Sequence, residues 1–113
     1  MLAAGESRLV EALLLLSYPL HPPHRPDQLR TLHFSNLCTP AMFVHGERDE
    51  FGSIAEMEAA LTLIPARTEL VAIPHVGHEL ITSRNREVLA QHLADGFLTF
   101  ATRLTMDRRM RVQ

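Results

Sequence analysis

Two residues stand out by type and position. Asp49 lies in the stretch AMFVHGERDEFG at 41–52, and His78 in IPHVGHEL at 73–80. Each comes shortly after an apolar run, in a loop loosened by glycine or proline. A carboxylate that accepts from one ring nitrogen of an imidazole fixes its tautomer and stabilises the imidazolium. The other nitrogen can then take a proton from a nucleophile and return it to a leaving group. An acid on one loop and a histidine on the next, in that chain order, would supply two of the three parts of such a machine.

The third part, the nucleophile, has no good candidate. Gly5-Glu6-Ser7-Arg8-Leu9 imitates a Gly-x-Ser-x-Gly elbow. Leu9 replaces its second glycine, too few residues precede Gly5 for a leading strand, and the next apolar run starts at Val10, leaving no room for a helix. Ser17 falls within an apolar run that reads as a strand, Ser53 reads as a helix cap, and Ser35 and Ser83 have no elbow context. Cys38, the only cysteine, precedes Thr39-Pro40 at the wrong end of a strand. His75 competes with His78 for the role of base. His21-Pro-Pro-His24 and His75-Val-Gly-His78 space histidines three apart, but proline or glycine keeps both pairs off a helix face, so neither reads as a metal site. The histidines of SYPLHPPHRP read as lining a substrate approach or facing solvent.

The elements that must position Asp49 and His78 follow from the apolar pattern. VEALLLLSY at 10–18, AMFVHG at 41–46 and ELVAIP at 69–74 are nearly continuous apolar runs, the pattern of parallel strands covered on both faces. Helical segments alternate with them, giving α/β winding, and a site in such a sheet lies beyond the carboxyl ends of its strands. Ser53-Ile-Ala-Glu56 is a capping box, and Ile54, Met57, Leu61 and Ile64 share a face before Pro65. A last helix is expected from Thr82 or Ser83, burying Val88, Leu89, His92, Leu93, Phe97, Phe100 and Leu104. Residues 19–40 hold five of the seven prolines and suggest a lid-like connection with a short helix near Asp27–Leu37.

Residues 13–80 resemble the C-terminal half of a small α/β hydrolase of the dienelactone-hydrolase-like kind. LLLLSYPLHPP, PAMFVHGERDEFG and PHVGHEL are similar to the testis-expressed and non-specific-lethal-complex hydrolase-like family. The resemblance implies that Asp49 is the acid and that His78, rather than His75, is the base. It also implies further strands upstream of residue 1, with a nucleophilic serine there. Residues 1–113 then form one partial α/β domain: a parallel three-strand half-sheet with flanking helices. The implied reaction is ester or acyl-bond hydrolysis on a small-molecule substrate, needing the fuller polypeptide and no cofactor or metal. A non-catalytic interaction or assembly module on the same scaffold is the alternative.

A formal charge of −2 and a pI near 6.4 give no reason to expect a nucleic-acid or anionic-membrane partner. The longest apolar run is far below the roughly 20 residues of a membrane span, and the acidic lead-in argues against a signal peptide. With a lone cysteine, a cytoplasmic setting is expected. The tail RLTMDRRMRVQ is expected to be solvated and frayed. The edge of the Val10–Tyr18 strand lacks protective charges, prolines or bulges, so a homodimer or larger assembly pairing that strand with its copy, or else an aggregating chain, is expected.

Overall fold

The computed structural model describes residues 12–112. Ser7, and the part of the expected Val10–Tyr18 strand before residue 12, lie outside the described residues. Three strands, β1 (Leu13–Leu16), β2 (Ala41–Gly46) and β3 (Thr68–Ile73), form one parallel sheet in the order β1-β2-β3. Leu13 pairs with Ala41 and Ala41 with Thr68, and the ladder between β2 and β3 runs to Gly46 and Ile73. Every residue of β2 is buried, as its nearly continuous apolar run requires. Among the described residues no helix is long and apolar enough to cross a membrane.

β1 is shorter than the apolar run that contains it, because Ser17 takes a left-handed φ of 55° and turns the chain out of the sheet. Ser17 is therefore a strand-end residue and not a strand residue.

Neighbouring parallel strands in chain order need crossovers, and two right-handed crossovers running the same way lie on the same face of the sheet. Residues 17–40 and the segment containing helix α1 (Ile54–Leu61) accordingly share one face, where Leu20, Phe34, Phe43, Met57, Ala60, Leu61 and Ile64 form one core. The first crossover contains no α-helix. Its expected helix near Asp27–Leu37 is replaced by turns and a single 3-10 turn at Phe34–Asn36. The prolines of this crossover, Pro19, Pro22, Pro23, Pro26 and Pro40, flank residues 27–37 without entering them, and tertiary anchors set the path of the segment. Leu20 and Phe34 are almost wholly buried, the Tyr18 hydroxyl donates to the Arg30 carbonyl at 2.6 Å, and the Arg30 amide donates to Leu20 at 2.8 Å. Burying side chains such as these two contributes about 1.5–3 kcal/mol each.

The capping box of α1 is formed: the Ser53 hydroxyl accepts from the Glu56 amide, and the Glu56 carboxylate accepts from the Ser53 amide. The helix stops at Leu61, ahead of Pro65, and tightens into successive i−3 bonds from Thr62, Leu63 and Ile64. A residue before proline is pushed out of the helical region, which favours such an early end.

Helix α2 (Arg86–Val112) covers the opposite face, where Leu89, Leu93, Phe100 and Leu104 pack with Met42, Val44 and Ile73. It opens later than Thr82 or Ser83, because the Asn85 side chain accepts from the Thr82 amide and donates to the Leu80 carbonyl, holding a turn in place. Val88 and His92 are exposed, so the buried stripe is narrower than its apolar spacing suggests. The C-terminal segment is helical to Val112. Arg67 pairs with Asp107, and Arg103 lies 3.9 Å from Glu69, joining α2 to the β3 side of the sheet. Such exposed pairs contribute about 0–1 kcal/mol.

Candidate active site

The site is built where β2 and β3 end. The Asp49 amide donates to Gly46, closing a turn directly after β2, while the Glu47 and Arg48 amides donate across to Ile73 and Val76 at 2.9 Å each. These bonds zip the loop after β2 onto the loop after β3. The approach is so close that a Cβ on Gly46 would lie 2.3 Å from the Gly77 carbonyl oxygen and 2.5 Å from that of Val76. Glycine is needed at 46 for this contact between backbones, not for a special dihedral angle.

This zipper brings Asp49 and His78 together. The Asp49 side chain is fully buried. One of its oxygens, Oδ1, accepts from the Phe51 amide at 2.7 Å, and the other, Oδ2, accepts from His78 Nδ1 at 2.9 Å. Since a carboxylate only accepts, the His78 proton sits on Nδ1 in this contact. His78 Nε2 has no hydrogen-bond partner among the described residues, and the side chain is 42% exposed. The Phe51 ring lies against the imidazole with centroids 4.3 Å apart. His75, the competing base, is exposed with φ 66°, and its side chain makes no bond to Asp49.

Three contributors have no local sequence signal. His45, fully buried in β2, donates from Nε2 to the Gly52 carbonyl at 2.6 Å, and the same nitrogen lies 3.6 Å from Asp49 Oδ2. Its Nδ1 is buried without a partner, so the proton belongs on Nε2, facing the carbonyl and the carboxylate. Phe51 supplies both an amide to Asp49 and a ring to His78. Ser17 donates its hydroxyl to the His78 carbonyl at 2.5 Å. The pattern that could have indicated His45 is a histidine inside an otherwise apolar strand four residues before an aspartate, which is too common to decide anything alone.

The remaining histidines divide. His24 is exposed with φ 64°. His21 is buried and neither lines an approach nor faces solvent, contrary to its reading in the sequence. Its Nε2 donates to the Glu56 carboxylate at 3.0 Å and its Nδ1 to the Pro22 carbonyl at 2.7 Å. Both ring nitrogens face acceptors, so the imidazolium is favoured. The Pro22 carbonyl first, and the Glu56 carboxylate second, raise its pKa from the ordinary value of 6.5. The Ser53 amide, and then His21, hold Glu56 below 4.5. This pair ties the proline-rich crossover to the start of α1.

Among the other serines, Ser53 commits its hydroxyl to the α1 cap, and Ser35 and Ser83 lie at the surface. Cys38 is exposed, its thiol directed at the Asn36 carbonyl. Among the described residues no three histidine, cysteine, aspartate or glutamate side chains are grouped so as to hold a metal ion.

A family model described as an alpha/beta hydrolase domain matches residues 1–103. No curated protein and no solved structure matches the chain.

Proposed function

The chain belongs to the alpha/beta hydrolase domain family, and on that premise we propose that Asp49 and His78 are the acid and general base of a serine-hydrolase-type triad. The reading rests on one observation: a buried carboxylate holds His78 by Nδ1 while Nε2 is left without a partner. In the proposed reaction Nε2 takes the proton of a serine hydroxyl as its oxygen attacks an ester or similar acyl carbonyl. Asp49 stabilises the imidazolium that forms. His78 then returns the proton to the leaving alcohol, and water repeats the cycle on the acyl-enzyme. The serine belongs to a Gly-x-Ser-x-Gly elbow, a motif this sequence does not contain. SYPLHPP favours the dienelactone-hydrolase-like branch of the family, and the lone, exposed Cys38 suits a cytoplasmic setting.

Two preparations test this reading. The 113-residue chain is expected neither to react with a fluorophosphonate probe nor to turn over a nitrophenyl ester faster than its His78→Ala variant. A longer protein, including whatever residues the coding frame places ahead of Met1, is expected to contain the elbow, to label there, and to lose about 10⁴-fold or more of its turnover in the His78→Ala variant. Stoichiometric labelling within residues 12–112, or ester turnover in the longer protein undiminished by His78→Ala, would overturn it.

A second reading, a non-catalytic assembly module, is favoured by β1. Among the described residues it pairs only with β2, and Leu13, Leu14 and Leu16 are exposed. We propose that this edge pairs with its copy in a homodimer. Sedimentation at micromolar concentration is expected to give a dimer that Leu14→Lys dissociates, and a monomer unchanged by that substitution excludes it.

A further inference from the structure

We propose that Ser17 is a positioning residue that holds the His78 segment from across the sheet. The inference rests on the acid–base reading of Asp49 and His78. Ser17 sits at the end of β1, two strands away from the strand that leads to His78, and the loop after β3 folds back over the glycine end of β2 to meet it. Its amide is fixed to β2 by donation to the Val44 carbonyl at 2.9 Å, and its hydroxyl donates to the His78 carbonyl. The serine is therefore anchored at its backbone and reaches His78 with its side chain.

The backbone at this position argues that the hydroxyl is what matters. A φ of 55° lies in the left-handed region, where glycine is unstrained and a residue with a Cβ is not. Glycine would relax the bend but could not reach His78. Serine keeps the strain and supplies a donor. The loop after β3 needs such a donor because it makes few bonds of its own. Its contacts are imported: the Arg48 amide on Val76, the Asp49 carboxylate on His78 Nδ1, the Phe51 ring on the imidazole, and Ser17 on the His78 carbonyl. Ser17 is the member of this set that fixes the backbone of the base itself.

Stability and geometry are predicted to move in opposite directions, which separates positioning from mere structural support. Long-range ¹H–¹⁵N correlation of the imidazole reads which ring nitrogen of neutral His78 carries the proton. In the wild-type chain the Nδ1–H form is expected to dominate, and to be lost in Asp49→Asn. Ser17→Gly is expected to have a urea midpoint equal to or above the wild type, yet at least a threefold smaller ratio of Nδ1–H to Nε2–H. Ser17→Thr keeps a hydroxyl but adds a branched Cβ at a left-handed φ. It is expected to have a lower midpoint with the wild-type tautomer ratio. A Ser17→Gly chain with the wild-type ratio overturns the proposal, as do tautomer ratios that simply follow stability across the two variants. A wild-type ring already in the Nε2–H form, indifferent to Asp49→Asn, instead overturns the acid–base reading on which the proposal stands.

Discussion

The loops after β2 and β3 each present one half of the hydrogen-bonded Asp49–His78 pair, and they hold it in opposite ways. Asp49 is fixed largely by its own loop: its amide returns to Gly46, its Oδ1 takes the Phe51 amide, and its side chain is shut away from solvent. His78 is exposed and is held by residues from elsewhere, namely Asp49, Phe51 and Ser17. A self-contained turn delivers the charge, which, being buried, must be satisfied by hydrogen bonds to be tolerated. The imidazole, which stays open to solvent, is borrowed into place by its neighbours.

The largest expected effect comes from separating the two loops. Gly46→Ala puts a methyl against two backbone carbonyls that have no rotamer to yield, at a cost of about 3 kcal/mol in urea unfolding. Amide shifts are expected in residues 73–78 more than in 49–52, because the Asp49 turn can survive alone. A cost under about 0.5 kcal/mol would mean that the close approach is not obligatory. Asp49→Ala is next, at about 2 kcal/mol, since it leaves the Phe51 amide and His78 Nδ1 without their acceptor. Hydrogen exchange at Phe51 should accelerate in that variant, and unchanged exchange would show that the turn does not depend on its carboxylate.

Phe51→Ala is expected to cost about 1 kcal/mol. Its effect should fall on the His78 ring, seen as weaker ring contacts in NMR, while the Asp49 turn persists because the substituted residue keeps its amide. If the turn loosens instead, the asymmetry between the loops is false. The smallest effect is a pH dependence on the Asp49 side, where the His21 amide also reaches the Phe51 carbonyl. His21 has a raised folded pKa, so its contribution is fully present below about 6.5 and is lost as pH rises through the folded value. Glu56 has a depressed one, so its contribution is present above about 4.5 and is lost as pH falls through the folded value. Stability from the pair is therefore greatest between those limits and declines on the alkaline side. His21→Gln should flatten that decline in urea midpoints measured from pH 6 to 8. An unchanged slope would place the titration elsewhere.

The same division governs what could be read in the sequence. β2 was legible because a strand buried on both faces leaves a nearly continuous apolar run, and the start of α1 because Ser53 and Glu56 cap it locally. Asp49 and His78 were legible as types in an order, since loops at strand ends carry their own glycine and proline signals. Ser17 was not, because its bend answers to partners at Val44 and His78 rather than to its neighbours in sequence. The short helix expected near Asp27–Leu37 is absent for a related reason. The burial of Leu20 and Phe34 decides the path of this segment, and that depends on a sheet formed elsewhere. On α2, apolar side chains at Val88 and a histidine at 92 extended the apparent stripe beyond the width that the sheet can cover.

The contact between Ser17 and His78 also sets an order of events in time. The two residues are 61 positions apart, and closing a loop of that length costs about 3–4 kcal/mol of chain entropy. No single hydrogen bond returns that much, so the contact can form only after both crossovers have docked and drawn the strand ends together. Substitutions at Ser17 should accordingly leave the folding rate unchanged and act on the unfolding rate alone. The Ser17–His78 contact is thus expected to form late as the chain folds and to open early when it unfolds.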